Sequence, residues 1–145
     1  MPEDLRFILA DVLKEPAYRL VRVEHYAVSV GSDAEPRAEV LVSVRGKRAR
    51  GVASGDGGYD AFMTALRRAA KELGLEVARL EDFRVRIPPG GRTAALVETL
   101  IHWKSAAHAE ETFSTLGVDS DQLAAAVIAT EKMLNALVAQ AKGPR

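Results

Sequence analysis

The first apolar pattern in the chain has the period of a helix. In residues 2–15, apolar side chains recur every three or four positions and so share one side of a helix. Pro2 suits a first helical turn, and Pro16 ends the segment. We predict a short helix over residues 1–17 that covers a neighbouring surface. Its apolar stripe consists of Leu5, Ile8, Leu9, Val12 and Leu13.

The pattern then changes to the period-two alternation that is typical of strands. The first run, RLVRVEHYAVSVG, changes phase between Val23 and Tyr26, so we predict a bulge near Glu24 and His25. A turn, a second run and a shorter third run, KRARGVAS, follow. The second run places Ala38, Val40, Val42 and Val44 on one face.

A helical pattern comes next and is predicted to end at Gly74 as its C-cap. The same order then recurs: three strand-like runs and a final helix, with Asp119 and Gln122 fitting a capping box at its start. The fold class is therefore α+β, with two βββα units over residues 18–74 and 78–140 as an internal pseudo-repeat. Two such units, packed together, would bury a common core, and leftover sheet faces would invite a symmetric partner. The first helix carries Tyr59, Phe62, Leu66, Ala69 and Leu73 on one stripe.

Composition narrows the class of protein. The 145 residues are 48% hydrophobic, which is typical of a globular domain rather than a disordered chain. Lys and Arg number 20, as do Asp and Glu, so no overall field favours nucleic acid or a membrane surface. The absence of cysteine excludes disulfides and thiolate chemistry. No apolar run approaches the ~20 residues that span a bilayer, and we expect a cytoplasmic protein.

The stretch GDGGYDAF, residues 55–62, is the first candidate for chemistry. A glycine-rich turn before a helix exposes N–H groups at the positive end of the helix dipole, where a small anion can bind. The stretch lacks the Gly-Lys-Ser/Thr of a P-loop and the spacing of a dinucleotide fingerprint. Asp56 and Asp60 add negative charge beside those donors, a combination that suits a zwitterion. The alternative is a plain tight turn with Asp60 at the start of the helix.

Other groupings are weaker. None of His25, His102 and His108 lies in a metal-binding motif, and no Ser-His-Asp grouping stands out. The run RGKRARG, residues 45–51, is basic, but a charged edge strand that resists aggregation is the commoner meaning. We therefore expect no metal, no catalytic residue and no nucleic-acid partner.

Several stretches resemble one family. ASGDGGYDAF, LEDF, IPPGGRTAALVET, GVDSDQ and ATEKMLN together are similar to the C-terminal regulatory domain of the 2-isopropylmalate synthase and citramalate synthase family. The similarity covers residues 18–138, and residues 2–15 resemble the helical linker before that domain. The resemblance implies a domain of two βββα units that dimerises and binds the pathway's end product, leucine or isoleucine, near the dimer interface.

The resemblance also implies what lies elsewhere. These synthases join acetyl-CoA to a 2-oxo acid on a metal-dependent barrel, which takes ~250 residues and so is absent from this chain. Acetyl-CoA and the metal are accordingly expected only on that barrel. Whether the chain is a piece of such a synthase or a free-standing regulatory domain stays open at this point.

Carried over by position, the resemblance implies a ligand pocket in three parts: the glycine-rich turn, an apolar wall and the start of the second helix. Two departures are Gly58, where many relatives have proline, and Phe83, where tyrosine is common. The implied residues are Asp56, Gly57, Tyr59 and Asp60 from the turn, Leu80, Phe83, Ile87, Thr93 and Val97 from the wall, and Ser120 and Gln122 from the helix start.

The function predicted from the sequence is therefore feedback regulation by leucine, with homodimerisation and association with a catalytic barrel. An isoleucine-binding domain of a citramalate synthase is the first alternative. A dimerisation module without ligand binding is the second. We expect neither a membrane nor a nucleic acid among the partners.

Overall fold

The computed structural model describes residues 19–87, 96–105 and 111–141. They fold into two compact units, one of them Leu20–Glu76 and the other containing Arg19 and the described residues from Val77 onward. Each unit is a three-stranded antiparallel sheet followed by a helix, which confirms the predicted α+β class and its repeated βββα order. The predicted linker helix lies outside the described residues.

The first unit contains strands β1 (Val21–Gly31), β2 (Ala34–Val44) and β3 (Lys47–Ser54) in that spatial order, then helix α1 (Gly58–Leu73). The predicted alternation in β2 is confirmed, because the four residues of the apolar face are all buried. They are Ala38, Val40, Val42 and Val44.

The predicted bulge in β1 is also confirmed. Val23 pairs with Val42 and His25 with Leu41, so Glu24 is an extra residue in β1. The carboxylate of Glu24 accepts hydrogen bonds from the Ser43 hydroxyl and from Arg48 Nη2, the latter at 2.9 Å. The bulge therefore directs the Glu24 side chain across β2, where Ser43 lies, towards Arg48 of β3.

Helix α1 packs across β2 and β3, and Phe62, Leu66 and Ala69 of its predicted stripe are buried. Gly74 has φ 71° and ends the helix in the left-handed conformation, as predicted. The helix approaches β3 most closely at Gly51, where a methyl group would lie 2.8 Å from the carbonyl carbon of Ala65. Only glycine permits this contact.

The second unit contains β4 (Arg79–Arg86), β5 (Val97–Lys104) and β6 (Thr112–Asp119), then helix α2 (Gln122–Ala141). Trp103 and Ile101 of β5 are fully buried on the face that α2 covers. Gly117 of β6 meets α2 as Gly51 meets α1, because a methyl group there would lie 2.8 Å from the Ala129 nitrogen.

The predicted capping box at the start of α2 is wrong in its residues. Asp121, not Asp119, caps the helix: its carboxylate accepts a hydrogen bond from the Ala124 amide at 2.8 Å. The Asp119 carboxylate accepts from the Asp121 amide at 2.9 Å and so holds the turn before the cap. Both aspartate carboxylates accept a hydrogen bond from a nearby main-chain amide, and only the geometry of the turn decides which of them is the cap.

Helix α2 is unusually apolar. By length and composition, its stretch Gln122–Gln140 could cross a membrane, with a mean hydropathy of 1.2, which corrects the expectation that no stretch approaches that length. However, 56% of that stretch is buried within the structure, as in the core helix of a globular domain.

Candidate functional site

The two described helices begin differently. At α1 the N-cap position is Gly57, in extended conformation, and no side chain caps the helix. At α2 the carboxylate of Asp121 occupies that role. The start of α1 therefore presents main-chain donors and the positive end of a helix dipole without an internal anion on its cap.

Two carboxylates stand beside this helix start. Asp60 lies in the first turn of α1, and its Oδ2 accepts a hydrogen bond from the Asp56 amide at 3.0 Å. Both side chains are exposed. A methyl group at Gly55 would lie 2.6 Å from that same Oδ2 and 2.7 Å from the Ala61 nitrogen. Gly55 thus lets the incoming chain lie against the first turn of the helix, which explains one glycine of GDGG.

Aromatic rings pack next to the turn. Tyr59 stacks on Phe62 with 5.9 Å between ring centroids, and Tyr26 of β1 meets Phe62 edge-on at the same separation. Phe62 is fully buried, whereas Tyr59 is half-buried. One face of Tyr59 is therefore part of the core, so Tyr59 can offer a ligand at most its other face or its edge.

Two apolar residues beside this site, Val28 and Val30, were not predicted from the sequence. A methyl group at Gly58 would lie 3.2 Å from Val28 Cγ1 and 3.5 Å from Val30 Cγ2. Val30 is 68% exposed, which is high for a valine. The phase change at Glu24 was the available signal, because it moves Val28 and Val30 to the helix side of β1.

The four turn residues of the predicted pocket therefore lie together at one helix start, within one unit. The other described residues of the predicted pocket belong to the second unit. Thr93 lies outside the described residues. Leu80 pairs with Trp103, which lies six residues beyond Val97 on β5, so Leu80 and Val97 are about 20 Å apart along the sheet. Ile87, at 65% exposure, follows β4, and Ser120 and Gln122 are exposed at the start of α2. The predicted apolar wall is thus spread along the sheet, and its part in one pocket with the turn stays a prediction.

A Ser-His-Asp row that the sequence analysis did not find crosses the second sheet. Register places Asp82 of β4, His102 of β5 and Ser114 of β6 side by side, and His102 Nδ1 is hydrogen-bonded to the Ser114 hydroxyl. Asp82 instead bonds Arg84 Nε at 2.7 Å, which holds the pKa of the Asp82 carboxyl below its usual range. A nucleophilic triad requires the carboxylate to orient the imidazole. The row lacks that bond, so we assign it no catalytic role.

The basic run is partly neutralised by its own sheet. Arg48 pairs with Glu24, and Arg50 pairs with Glu39. In the part of the chain that the structure describes, no cluster of three His, Cys, Asp or Glu side chains could hold a metal ion. The helix start at Gly57 is therefore the best-supported candidate site.

Comparison with known proteins finds relatives that are named as citramalate synthases and as a 2-isopropylmalate synthase. A protein of Methanosarcina mazei named as a citramalate synthase is 31% identical over 138 residues, which cover 93% of this chain and 27% of that protein. One of Methanopyrus kandleri with the same name is 36% identical over 91 residues, 63% of this chain and 18% of its own length. A second M. kandleri protein, named as a 2-isopropylmalate synthase, is 37% identical over 81 residues, 56% of this chain and 16% of its own.

The chain thus spans about a quarter or less of the length of these relatives. One family model covers nearly all of it, matching residues 1–138. By that match, the chain belongs to the family of the LeuA allosteric (dimerisation) domain.

Proposed function

We propose that this chain is an amino-acid-sensing, dimerising regulatory domain without catalysis of its own, and that its ligand is a branched-chain amino acid. The observation that carries the proposal is the start of α1, where an uncapped helix end and two exposed carboxylates lie next to the exposed Val30 of β1. Each part complements one part of such a ligand.

The ligand carboxylate is proposed to bind the main-chain donors of the helix start, where the helix dipole favours an anion. The ammonium group binds Asp60, with Asp56 beside it, because charge-assisted hydrogen bonds are the strong ones. The aliphatic side chain rests on Val28 and Val30, which gains burial that the free protein lacks at Val30.

Leucine and isoleucine have equal apolar content and differ in the position of the branch, so burial does not separate them. From the sequence, leucine is the predicted ligand and isoleucine the first alternative. Two of the three relatives described above are named as citramalate synthases, a resemblance that favours isoleucine. Valine lacks one methylene, which is worth about 0.8 kcal/mol of burial, and is expected to bind several-fold more weakly.

The wider setting is also a proposal. The family and the partial coverage of its relatives support a homodimer that associates with the catalytic domain of a parent acyltransferase. The cytoplasm is its proposed location. Acetyl-CoA and a divalent metal would belong to that catalytic domain. This chain would report the level of the end product to it.

The test is a parallel titration of leucine, isoleucine and valine, followed by calorimetry and thermal unfolding. Two matched probes resolve the chemistry: 4-methylpentanoate lacks the ammonium group, and 3-methylbutylamine lacks the carboxylate. The proposal expects both to bind far more weakly than leucine. At 1 mM ligand, a site with a Kd of ~0.1 mM adds more than 1 kcal/mol to the free energy of unfolding. If none of the three amino acids stabilises the protein, the alternative of an assembly-only module replaces sensing.

A further inference from the structure

We infer that three consecutive residues of α2, Glu131, Lys132 and Met133, form a latch that holds both chain connections of the first unit and makes the two units unfold together. These residues lie in the stretch ATEKMLN, which contributes nothing to the candidate site. The latch needs no ligand, so it stands apart from the sensing function proposed above.

The first unit is joined to the second at two places along the chain. It is the continuous stretch Leu20–Glu76, and both flanking residues, Arg19 and Val77, belong to the second unit. The strand β1 begins at the fully buried Val21, so a single residue separates it from Arg19. Two residue steps span at most about 7 Å. Whatever fixes Arg19 therefore also fixes the start of the first sheet.

The Glu131 carboxylate fixes Arg19. The guanidinium donates from Nε to Glu131 Oε1 at 2.5 Å and from Nη2 to Oε2 at 3.0 Å. Bidentate pairs of this kind are among the strong hydrogen bonds of proteins, and they set the direction of the side chain as well. The Glu131 side chain is 13% exposed, so salt and water screen this pair less than they screen a fully exposed one.

The second connection is held by Met133. The Ala78 amide donates to Met133 Sδ at 3.4 Å, and both residues are fully buried. The strand β4 begins at the next residue, Arg79. A thioether is a weak acceptor, but here it satisfies a buried main-chain donor. The start of the second sheet is therefore also positioned by α2.

Between these two residues, Lys132 ties the helix to its own sheet. Its Nζ donates to the main-chain oxygen of Leu116 on β6 at 2.7 Å, and the residue is buried. Successive residues of a helix point in different directions, so less than one turn of α2 reaches three separate parts of the chain. A displacement of this turn would move both connections at once.

The experiment asks whether damage to the first unit reaches the second. Trp103 is the one tryptophan of the chain and is fully buried in the second unit, so its fluorescence reports the unfolding of that unit. Val40→Ala removes apolar volume from the core of the first unit. Since the latch couples the units, Val40→Ala should lower the urea midpoint of the Trp103 signal by about 1 M.

Breaking the latch should remove that shift. Glu131→Gln removes the charge of the carboxylate, whereas Arg19→Lys keeps the cation, loses the bidentate bond and leaves α2 unchanged. In either background, Val40→Ala should move the Trp103 midpoint by at most about 0.2 M. Hydrogen exchange should still show reduced protection of the β2 amides, because the first unit remains damaged.

Glu98→Gln is the matched control. Glu98 pairs with Arg86 at 3.2 Å across two strands of the second sheet, away from both connections. In this background the Trp103 shift should keep its wild-type size. The latch is wrong if Val40→Ala leaves the Trp103 midpoint of the otherwise wild-type chain unchanged, if the shift persists in both latch variants, or if the control abolishes it as well.

Discussion

Gly117 lies directly against Ala125, so that a methyl group on Gly117 would overlap the carbonyl oxygen of Ala125 in the facing helix. The same relationship joins Gly51 to Ala65 in the other unit. In both cases the atoms in the way are backbone atoms, which cannot move without separating the helix from the sheet. The two units thus share a packing device as well as an order of elements.

We expect Gly117→Ala to lower the free energy of unfolding by about 2–3 kcal/mol, because the overlap forces a backbone shift in a packed core. Urea denaturation measures this loss. Gly31→Ala is the matched control, since Gly31 ends β1 with no atom within 4 Å of the added methyl group. Equal behaviour of the two variants would show that α2 does not pack on Gly117 as described.

Two buried threonines on the same face of the second sheet should respond in opposite ways to valine. Thr115 accepts a hydrogen bond from Trp103 Nε1 at 2.9 Å and donates one to the main-chain oxygen of Ala129 at 2.6 Å. Thr115→Val leaves the indole N–H buried without a partner, which costs about 1–3 kcal/mol. Thermal and urea unfolding of both valine variants make the comparison.

Thr99 supplies the contrast. Its hydroxyl is fully buried and has no hydrogen-bond partner among the described residues. Thr99→Val keeps the shape and removes a polar atom whose burial is uncompensated, so stability should be unchanged or higher. A loss above about 1 kcal/mol would mean that the Thr99 hydroxyl has a partner after all.

A third stability prediction concerns the turn between β2 and β3. Arg45 has φ 50° and Gly46 φ 79°, the left-handed pair of a tight hairpin turn. A left-handed arginine costs roughly 1–2 kcal/mol, and asparagine tolerates the conformation better. Arg45→Asn should therefore raise the free energy of unfolding by about 0.5–1 kcal/mol. Arg45→Ala removes the same charge without relieving the backbone and should give no such gain.

Low pH should reduce the stability of the first unit, because it protonates the Glu24 carboxylate. The hydrogen bond from Ser43, and next the one from Arg48, lower the pKa of the Glu24 carboxyl in the folded state. Its contribution is therefore complete above the carboxyl pKa of the unfolded chain, about 4.3. It is lost as pH falls through the lower folded pKa. Glu24→Gln cannot titrate, so the stability difference between wild type and variant should shrink from pH 6 to pH 3.

Urea denaturation at several pH values provides that measurement. Ser43→Ala removes the largest cause of the lowered Glu24 pKa and should reproduce part of the effect of Glu24→Gln. A difference between wild type and Glu24→Gln that is the same at pH 6 and pH 3 would contradict the assignment.

Local patterns predicted most of the fold, because alternation and capping depend on neighbours in sequence. The phase change at Glu24 was enough to predict a bulge, and Gly74 was enough to predict a helix end. The cap of α2 was placed two residues early because Asp119 and Asp121 both bond main-chain amides, and only three-dimensional geometry tells them apart.

Features that depend on register were not predicted. The row of Asp82, His102 and Ser114 spans 32 residues of sequence, and it exists only because one bulge at Glu81 and two strand registers align it. The proximity of Val30 to the helix start depends in the same way on the path of β1. The candidate site was therefore located by its turn, whereas the apolar residues beside that turn were not predicted.

The role of Asp60 is the sharpest test of the proposed site, because its carboxylate already has a structural task. Its Oδ2 accepts a hydrogen bond from the Asp56 amide at 3.0 Å. Its negative charge also stabilises the helix by interacting with the positive end of the α1 dipole. Asp60→Ala would remove both the hydrogen bond and the charge. Asp60→Asn keeps an acceptor oxygen for the Asp56 amide and removes only the charge.

If Asp60 binds the ligand ammonium, both variants should lose about 1.5–3 kcal/mol of binding free energy for the branched-chain amino acid, the range for a hydrogen bond to a charged group. The free energy of unfolding should fall by at most about 1 kcal/mol in Asp60→Asn and further in Asp60→Ala. Asp33→Asn, which removes the same charge from the exposed turn between β1 and β2, controls for net charge and should bind like the wild type. Calorimetry on the folded variants separates affinity from stability. A ligand that binds Asp60→Asn as tightly as the wild type would leave Asp60 with a structural role only.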